Sequence, residues 1–430
     1  MKILYNLTMI DLKLLRENPD SIRKALEKRN VDLDLDEIIR IDGQRRTHIT
    51  ELQEIKQKRN ALSEEVGRLK RQGEQPEELM AQARKLSNEI KEKEEVLRTV
   101  EMKFAELVQW LPNIPHESVP VGAGTESNKF VRGAKAAPKS TFDVLPHWEI
   151  GEALDILDLT RAAKISGSRF ILYKGMGALL ERALINFFLD LHVKEHGYTE
   201  VFPPVLNPTE CLYGTGQLPK LESDMYRCRD DEFYLAPTAE VPLTNMHREE
   251  IIPEKKLPLK YVAYTPCFRR EAGSYGKEVR GITRVHQFNK VELVKHTTPE
   301  RGYEEFQAML EDAETAVKLL GLPYRIMLLC TGDMTFASAI TYDIEVYAPG
   351  MKEWLEVSSI SCYEQYQARR ANIRYRRSGK GVDYVYTMNG SGLATPRTFI
   401  AIVENYQTED GRIKIPDVLK KYMGVDSVSK

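Results

Sequence analysis

From Leu79 to Leu107 apolar residues recur at alternating steps of four and three: Leu79, Ala83, Leu86, Ile90, Lys93, Leu97, Val100, Phe104 and Leu107. This is a heptad seam with one polar position, Lys93. Leu52, Ile55, Leu62, Val66 and Leu69 form a matching seam upstream with Arg59 as its polar break, and Gly73 to Pro76 supplies a turn. The pattern predicts an antiparallel helical hairpin, each helix on the order of 30 residues and roughly 45 Å long. An isolated coiled coil is commonly a dimerisation element or a spacer. Here the outer part carries Lys56, Lys58, Arg59, Arg68, Lys70, Arg71, Arg84 and Lys85 against fewer acids, which tilts the reading toward a phosphate backbone.

Residues 112–145 are rich in Pro, Gly and Ser without helical period. They read as a linker between an N-terminal domain, 1–111, whose arm spans about 41–109, and a second domain, 146–430. In the second domain the stripe Leu179, Leu180, Ala183, Leu184, Phe187, Phe188 and Leu191 predicts a helix closed by Gly197. Val-, Ile- and Tyr-rich strands follow, among them Ile344 to Tyr347 and Trp354 to Ser358. The expected fold class is α+β: a coiled-coil arm, then a mostly antiparallel sheet flanked by helices.

Thr265 to Glu292 reads as two strands joined by a Gly-rich, basic loop. Alternation puts Arg269 and Glu271 on one face of the first strand, and Arg284, His286, Phe288, Lys290 and Glu292 on one face of the second. A charged sheet face costs free energy unless something charged binds it. A nucleotide suits it, with an aromatic plate for the base and arginine forks for phosphates. His286 reads as a structural hydrogen bonder, and Lys277 and Arg280 belong to the basic loop. No GxxxxGK[ST] loop is present, so the phosphate cradle must be of another kind.

Composition narrows this little. The formal net charge of −2 leaves nucleic-acid contact to local patches. Five cysteines without a CxxC pair argue against a disulfide framework or a zinc site. No apolar run approaches a membrane span and no export signal is evident, so a cytoplasmic protein is expected.

GYTEVFPP, FRRE and NGSGLATPRTFIAIVENYQ resemble motifs 1, 2 and 3 of the class II aminoacyl-tRNA synthetases. PTAEVPLTN, LYGTGQLPK, HQFNKVE and EVSSISCYEQYQARR, with the N-terminal DLKLLRENPDSIRKALEKR and the arm, are similar to the seryl-tRNA synthetases of bacterial type. The resemblance runs nearly end to end. It implies a class II antiparallel sheet, a homodimer, and ATP-dependent ligation of L-serine to tRNA(Ser) through seryl-adenylate. It further implies Mg²⁺ as cofactor, and tRNA(Sec) as a second substrate where an organism has one. Two rivals are weighed against it: an amino-acid activator for a carrier protein, whose relatives lack the arm, and a silent RNA-binding paralogue, against which Arg269, Glu271, Glu356 and Arg397 stand intact.

By its motif match, Arg269 should hold the α-phosphate and the serine carboxylate. Glu271 would face the adenine side, Phe288 stack the base and Arg284 bind the phosphate tail. Arg397 would meet the terminal phosphate from a helix with Thr395 as N-cap and Pro396 in its first turn. Glu356 and Ser359 match the metal ligands, with Val357, Ser358 and Arg270 touching nucleotide through backbone. For serine the resemblance implies Thr238, Ala239, Glu240, Arg269, Glu292, Asn389 and Ser391, with Glu240 assigned to the ammonium and Glu292 with Ser391 to the hydroxyl. The catalytic set that the resemblance implies is Arg269, Glu271 and Arg397. The chain departs from the pattern at Ile340, where a lysine is expected, and at Pro396, where a glycine is usual. Residues before Met9 extend past the usual start, so either Met1 or Met9 is the expected initiator.

Overall fold

The structure is a computed structural model that describes residues 9–272 and 280–430, so Met1 and Lys277 lie outside the described residues. The chain separates into two compact units, one running to Leu111 apart from Lys28–Asn30, the other comprising those three residues and Pro112–Lys430.

In the first unit the seam produces the expected hairpin. Helix α1 (Leu35–Arg71) has 37 residues and starts at Asp34, whose carboxylate accepts the Glu37 N–H at 2.9 Å. Helix α2 (Glu77–Val108) has 32 residues, and the two are roughly 55 and 48 Å long. Every seam position of α2 is buried or half-buried, as are Leu52, Ile55, Arg59, Leu62, Val66 and Leu69 of α1. The polar Lys93 is accommodated by Glu51 at 2.7 Å, and Lys56 pairs with Glu94 at 2.7 Å.

The second unit is built on an eight-stranded sheet of β1 (Lys129–Gly133), β2 (Thr199–Glu200), β3 (Leu259–Phe268), β4 (Gln287–Thr297), β5 (Tyr324–Leu328), β6 (Ile340–Ala348), β7 (Glu353–Glu364) and β8 (Tyr386–Ala394). The order is β1-β5-β6-β7-β8-β4-β3-β2, antiparallel throughout except for β2 beside β3. On one face helices α3 (Met176–Lys194), α5 (Gly302–Leu319) and α6 (Thr395–Asn405) bury Leu184, Phe188, Met309, Val317 and Phe399 against Val291, Leu293 and Ile360; the short helix α4 (Glu240–Asn245) lies elsewhere. Alternation then turns Lys290, Glu292, Asn389 and Ser391 to the opposite face, where the cavity described below opens.

Four expectations need correction. The segment 112–145 is not merely a linker, because Lys129–Gly133 pairs with β5 as an edge strand and Asn113 Nδ2 donates to the Ala337 and Tyr363 carbonyls, both at 2.9 Å. Glu271 is not on a strand: β3 stops at Phe268, the N–H groups of Arg270 and Ala272 turn to the carbonyl and carboxylate of Asp224, and Glu271 adopts a φ of 52°. Arg284 and His286 likewise precede β4, which begins at Gln287. Thr395 is the first residue of α6, not its N-cap; Ala394 takes that place, and the Thr395 hydroxyl turns to Glu181 and Asn289. Pro396 does sit in the first turn, where its missing N–H leaves no helical bond unmade.

Candidate active site

A cavity of about 610 Å³ opens on the polar face of the sheet. Arg269, Glu271, Arg284, Phe288, Glu356, Ser359 and Arg397 line one part of it, and Thr238, Glu240, Glu292, Asn389 and Ser391 another. The sequence-expected Ala239, Arg270, Val357 and Ser358 do not line it with the rest. Ala239 and Val357 are buried in apolar clusters, and the Ser358 hydroxyl donates to the Ser391 carbonyl. Arg270 lies 5.7 Å over the Tyr226 ring, away from Arg269. His286 Nδ1 donates to the Arg269 carbonyl at 3.1 Å, the structural role expected of it.

Two β-bulges give the site its shape. Glu356 and Ser359 are three residues apart, which on a regular strand would put them on opposite faces. A register shift between Glu356 and Ser358 resets the phase and brings both to the cavity. A second shift between Ser391 and Leu393 does the same for Ser391 and Ala394, feeding the start of α6 and Arg397 into the cavity.

At the first end Arg269 spreads over the Phe288 ring at 5.2 Å, with its Nε donating to the Pro237 carbonyl at 3.3 Å. Arg284 pairs with Glu271 at 3.3 Å. Arg397 Nη1 donates to the Glu356 carbonyl at 2.8 Å and to its carboxylate at 3.0 Å. Burial works against the Glu356 charge, but Arg397, with Arg269 and Lys290 behind it, holds the carboxyl below its usual range. Asp343, on β6 directly across from Ser359, has the opposite balance: burial and then the Glu356 charge raise it well above the usual carboxylate value. Its Oδ1 is buried without a hydrogen-bond partner.

That orphaned oxygen bears on the implied metal. Glu356, Ser359 and Asp343 supply hard oxygen donors in the cavity that Arg269, Arg284 and Arg397 also line, donor chemistry that fits Mg²⁺ held through few protein ligands. Among the described residues no group of three His, Cys, Asp or Glu side chains forms a cage for a metal alone.

At the second end the local sequence explains the geometry. Thr238 Oγ1 accepts the Glu240 N–H at 3.2 Å, so the Thr-x-Glu spacing fixes the turn that presents Glu240 at the head of α4. Gln367 and Gln217 donate to the two Glu240 oxygens at 2.6 and 3.1 Å. Burial first, then the Glu292 charge, push this carboxyl up to about 7. Ser391 Oγ donates to Glu292 at 3.4 Å, while Asn389 accepts from Tyr363 OH at 3.3 Å.

Sequence reasoning missed Lys290, Asp343, Gln217, Gln367 and Tyr363 as site residues. Lys290 is buried, bonds Thr238 Oγ1 at 2.8 Å and pairs with Glu292. Its alternation with Phe288 and Glu292 was the available signal. Ile340 does not line the cavity; it is buried in the core. The five cysteines are all free.

The family described as "Seryl-tRNA synthetase N-terminal domain" matches residues 9–115, and "tRNA synthetase class II core domain (G, H, P, S and T)" matches 224–406. The serine–tRNA ligase of Carboxydothermus hydrogenoformans is 51% identical over 423 residues, 98% of this chain and 100% of that protein. The chain belongs to the seryl-tRNA synthetase family. A second seryl-tRNA synthetase relative, the serine–tRNA ligase of Caldicellulosiruptor bescii, is 52% identical over 98% of this chain and 100% of its own. The crystal structure of the seryl-tRNA synthetase from Pyrococcus horikoshii complexed with ATP superposes with a TM-score of 0.89 at 37% identity, covering 97% of this chain and 99% of that one. That of the cytoplasmic enzyme from Naegleria fowleri in complex with AMP gives 0.85 at 30% identity, covering 97% and 98%. Within this family of class II synthetases the α+β sheet and the coiled-coil arm both have their place.

Proposed function

We propose that this chain activates L-serine with ATP and transfers it to tRNA(Ser). The observation that carries the reading is one cavity that joins Arg269, Glu356 and Arg397 to Glu240, Glu292 and Ser391. Arginines suited to phosphates and carboxylates suited to an ammonium and a hydroxyl thus share one cavity, which supports the reading.

In the first step a serine carboxylate oxygen attacks the α-phosphorus of ATP and pyrophosphate leaves. The nucleophile is already ionised, so the site needs no general base and works by positioning and charge neutralisation. Arg269 holds the carboxylate and α-phosphate, and Arg284 and Arg397 take the phosphate tail. Phe288 stacks the adenine and Glu271 faces it. Glu356, Ser359 and Asp343 would hold Mg²⁺, which when bound supplies charge neutralisation on the phosphates. Glu240 meets the serine ammonium, and Glu292 with Ser391 meets its hydroxyl, with Thr238 and Asn389 completing the wall. Lys290 fixes Glu292 and Thr238 in place. A cavity whose buried polar groups need the hydroxyl rejects alanine, because its absence leaves them unpaired.

In the second step a hydroxyl of the tRNA's terminal ribose attacks the seryl carbonyl carbon, the ester forms, the bond to phosphate breaks and AMP leaves with the hydroxyl proton passing to solvent, while the basic outer arm meets the RNA backbone. The working assembly is a homodimer in the cytoplasm, tRNA(Sec) is a further substrate where the organism has one, and the N-terminal unit is the tRNA-binding domain. Serine-dependent ATP–pyrophosphate exchange followed by charging of tRNA(Ser) tests the reading, and no exchange with serine would sink it.

A further inference from the structure

Two polar side chains on α3 reach the same short stretch of chain from beneath the sheet. Glu181 and His192 are eleven residues apart, about three turns at 3.6 residues per turn, and so share one helix face. Both are buried, at 5% and 0% exposure. Glu181 Oε1 accepts the Thr395 hydroxyl and, at 2.9 Å, the Asn289 amide. His192 Nε2–H donates to the Gly392 carbonyl at 3.3 Å, and its Nδ1 accepts from His196 Nδ1 at 2.9 Å.

The stretch they hold, Gly392 to Thr395, contains the second bulge, and its Leu393 has a φ of 137°, a strained value for a residue with a side chain. Such a backbone persists only where its surroundings over-determine it. A Cβ on Gly392 would stand 2.8 Å from His192 Nε2, so the ring packs directly on the bulge backbone. Burial lowers His192 to about 3, which keeps the ring neutral with one N–H committed to Gly392. On one side of this stretch is Ser391 at the serine end of the cavity, and on the other Arg397 at the phosphate end.

We propose that Glu181 and His192 are positioning residues, through which α3 fixes the bulge and thereby the placement of Ser391 relative to Arg397. The inference rests on the serine-activation reading above. His192 acts toward the serine end and the Glu181–Thr395 contact toward the phosphate end.

Separate Michaelis constants for serine and ATP in pyrophosphate exchange, with melting temperatures measured alongside, test it. His192→Ala should raise the serine KM about tenfold and move the ATP KM by less than about twofold. His192→Gln, which retains an N–H able to reach Gly392, should recover most of that loss. Thr395→Val should raise the ATP KM about fivefold and leave the serine KM in place. If the glutamine variant is no better than alanine, or both constants move together in Thr395→Val, the proposal is overturned. Should His192→Ala not fold, His192→Gln and Thr395→Val still decide it: a serine KM near wild type in the first with an ATP-only effect in the second supports the proposal. Absence of exchange in the wild-type protein would overturn the activity reading itself, whereas wild-type exchange with unsplit constants would overturn only the positioning role.

Discussion

Arg397 Nη1 holds Glu356 twice, through the carbonyl at 2.8 Å and the carboxylate at 3.0 Å. A strand residue proposed to face a metal and a helix residue proposed to face a phosphate are therefore one electrostatic unit. Arg397→Ala and Glu356→Ala should each lower kcat/KM for ATP by on the order of a hundredfold. The double variant should fall short of the product, with a coupling of about 1 kcal/mol or more in a double-mutant cycle on exchange rates.

Glu240 sets a pH dependence. Its carboxyl lies near 7 because of burial and then the Glu292 charge, and the proposed ammonium contact needs the ionised form. As pH falls from 7 to 6 the serine KM should rise, approaching a limiting slope of about tenfold per unit, and Glu240→Gln should flatten the profile. The sign for stability is the reverse: a carboxyl raised from 4.5 contributes stability that is present below that value and lost as pH rises through about 7. Bound serine offsets the buried charge, so serine should raise the melting temperature more at pH 8 than at pH 6.

Ser391 is proposed to read the substrate hydroxyl together with Glu292, 3.4 Å away. Ser391→Ala should raise the serine KM about tenfold and change alanine activation little, which narrows the serine-to-alanine preference. Exchange assays with the two amino acids measure this.

The outer arm is proposed to contact RNA through its basic residues. Removing the hairpin from Lys56 to Lys85 should weaken tRNA binding and reduce the slope of log affinity against log salt, while serine-dependent exchange is retained. Unchanged tRNA affinity at fixed salt would make the arm a spacer.

Much of this was legible in the sequence because period alone carried it. The heptad seam from Leu79 to Leu107 specifies the hairpin without tertiary information, and two-residue alternation aligns Phe288, Lys290 and Glu292 with the cavity. What escaped depends on strand pairing. Alternation has no means of placing the bulge that brings Glu356 and Ser359 to one face, nor of revealing that Asp343 lies across from Ser359. Glu271 defeated it because hydrogen bonds to Asp224, distant in sequence, end the strand early. Composition misled at Lys129–Gly133, where an edge strand needs only one partner and tolerates a Gly- and Pro-rich neighbourhood.

The most direct measurement is ATP–pyrophosphate exchange over a panel of amino acids, followed by charging of tRNA(Ser). Exchange stimulated by serine far above alanine and threonine, abolished in Arg269→Ala while that variant still binds tRNA, is the predicted result. Exchange with another amino acid instead of serine, or none with any, would contradict it.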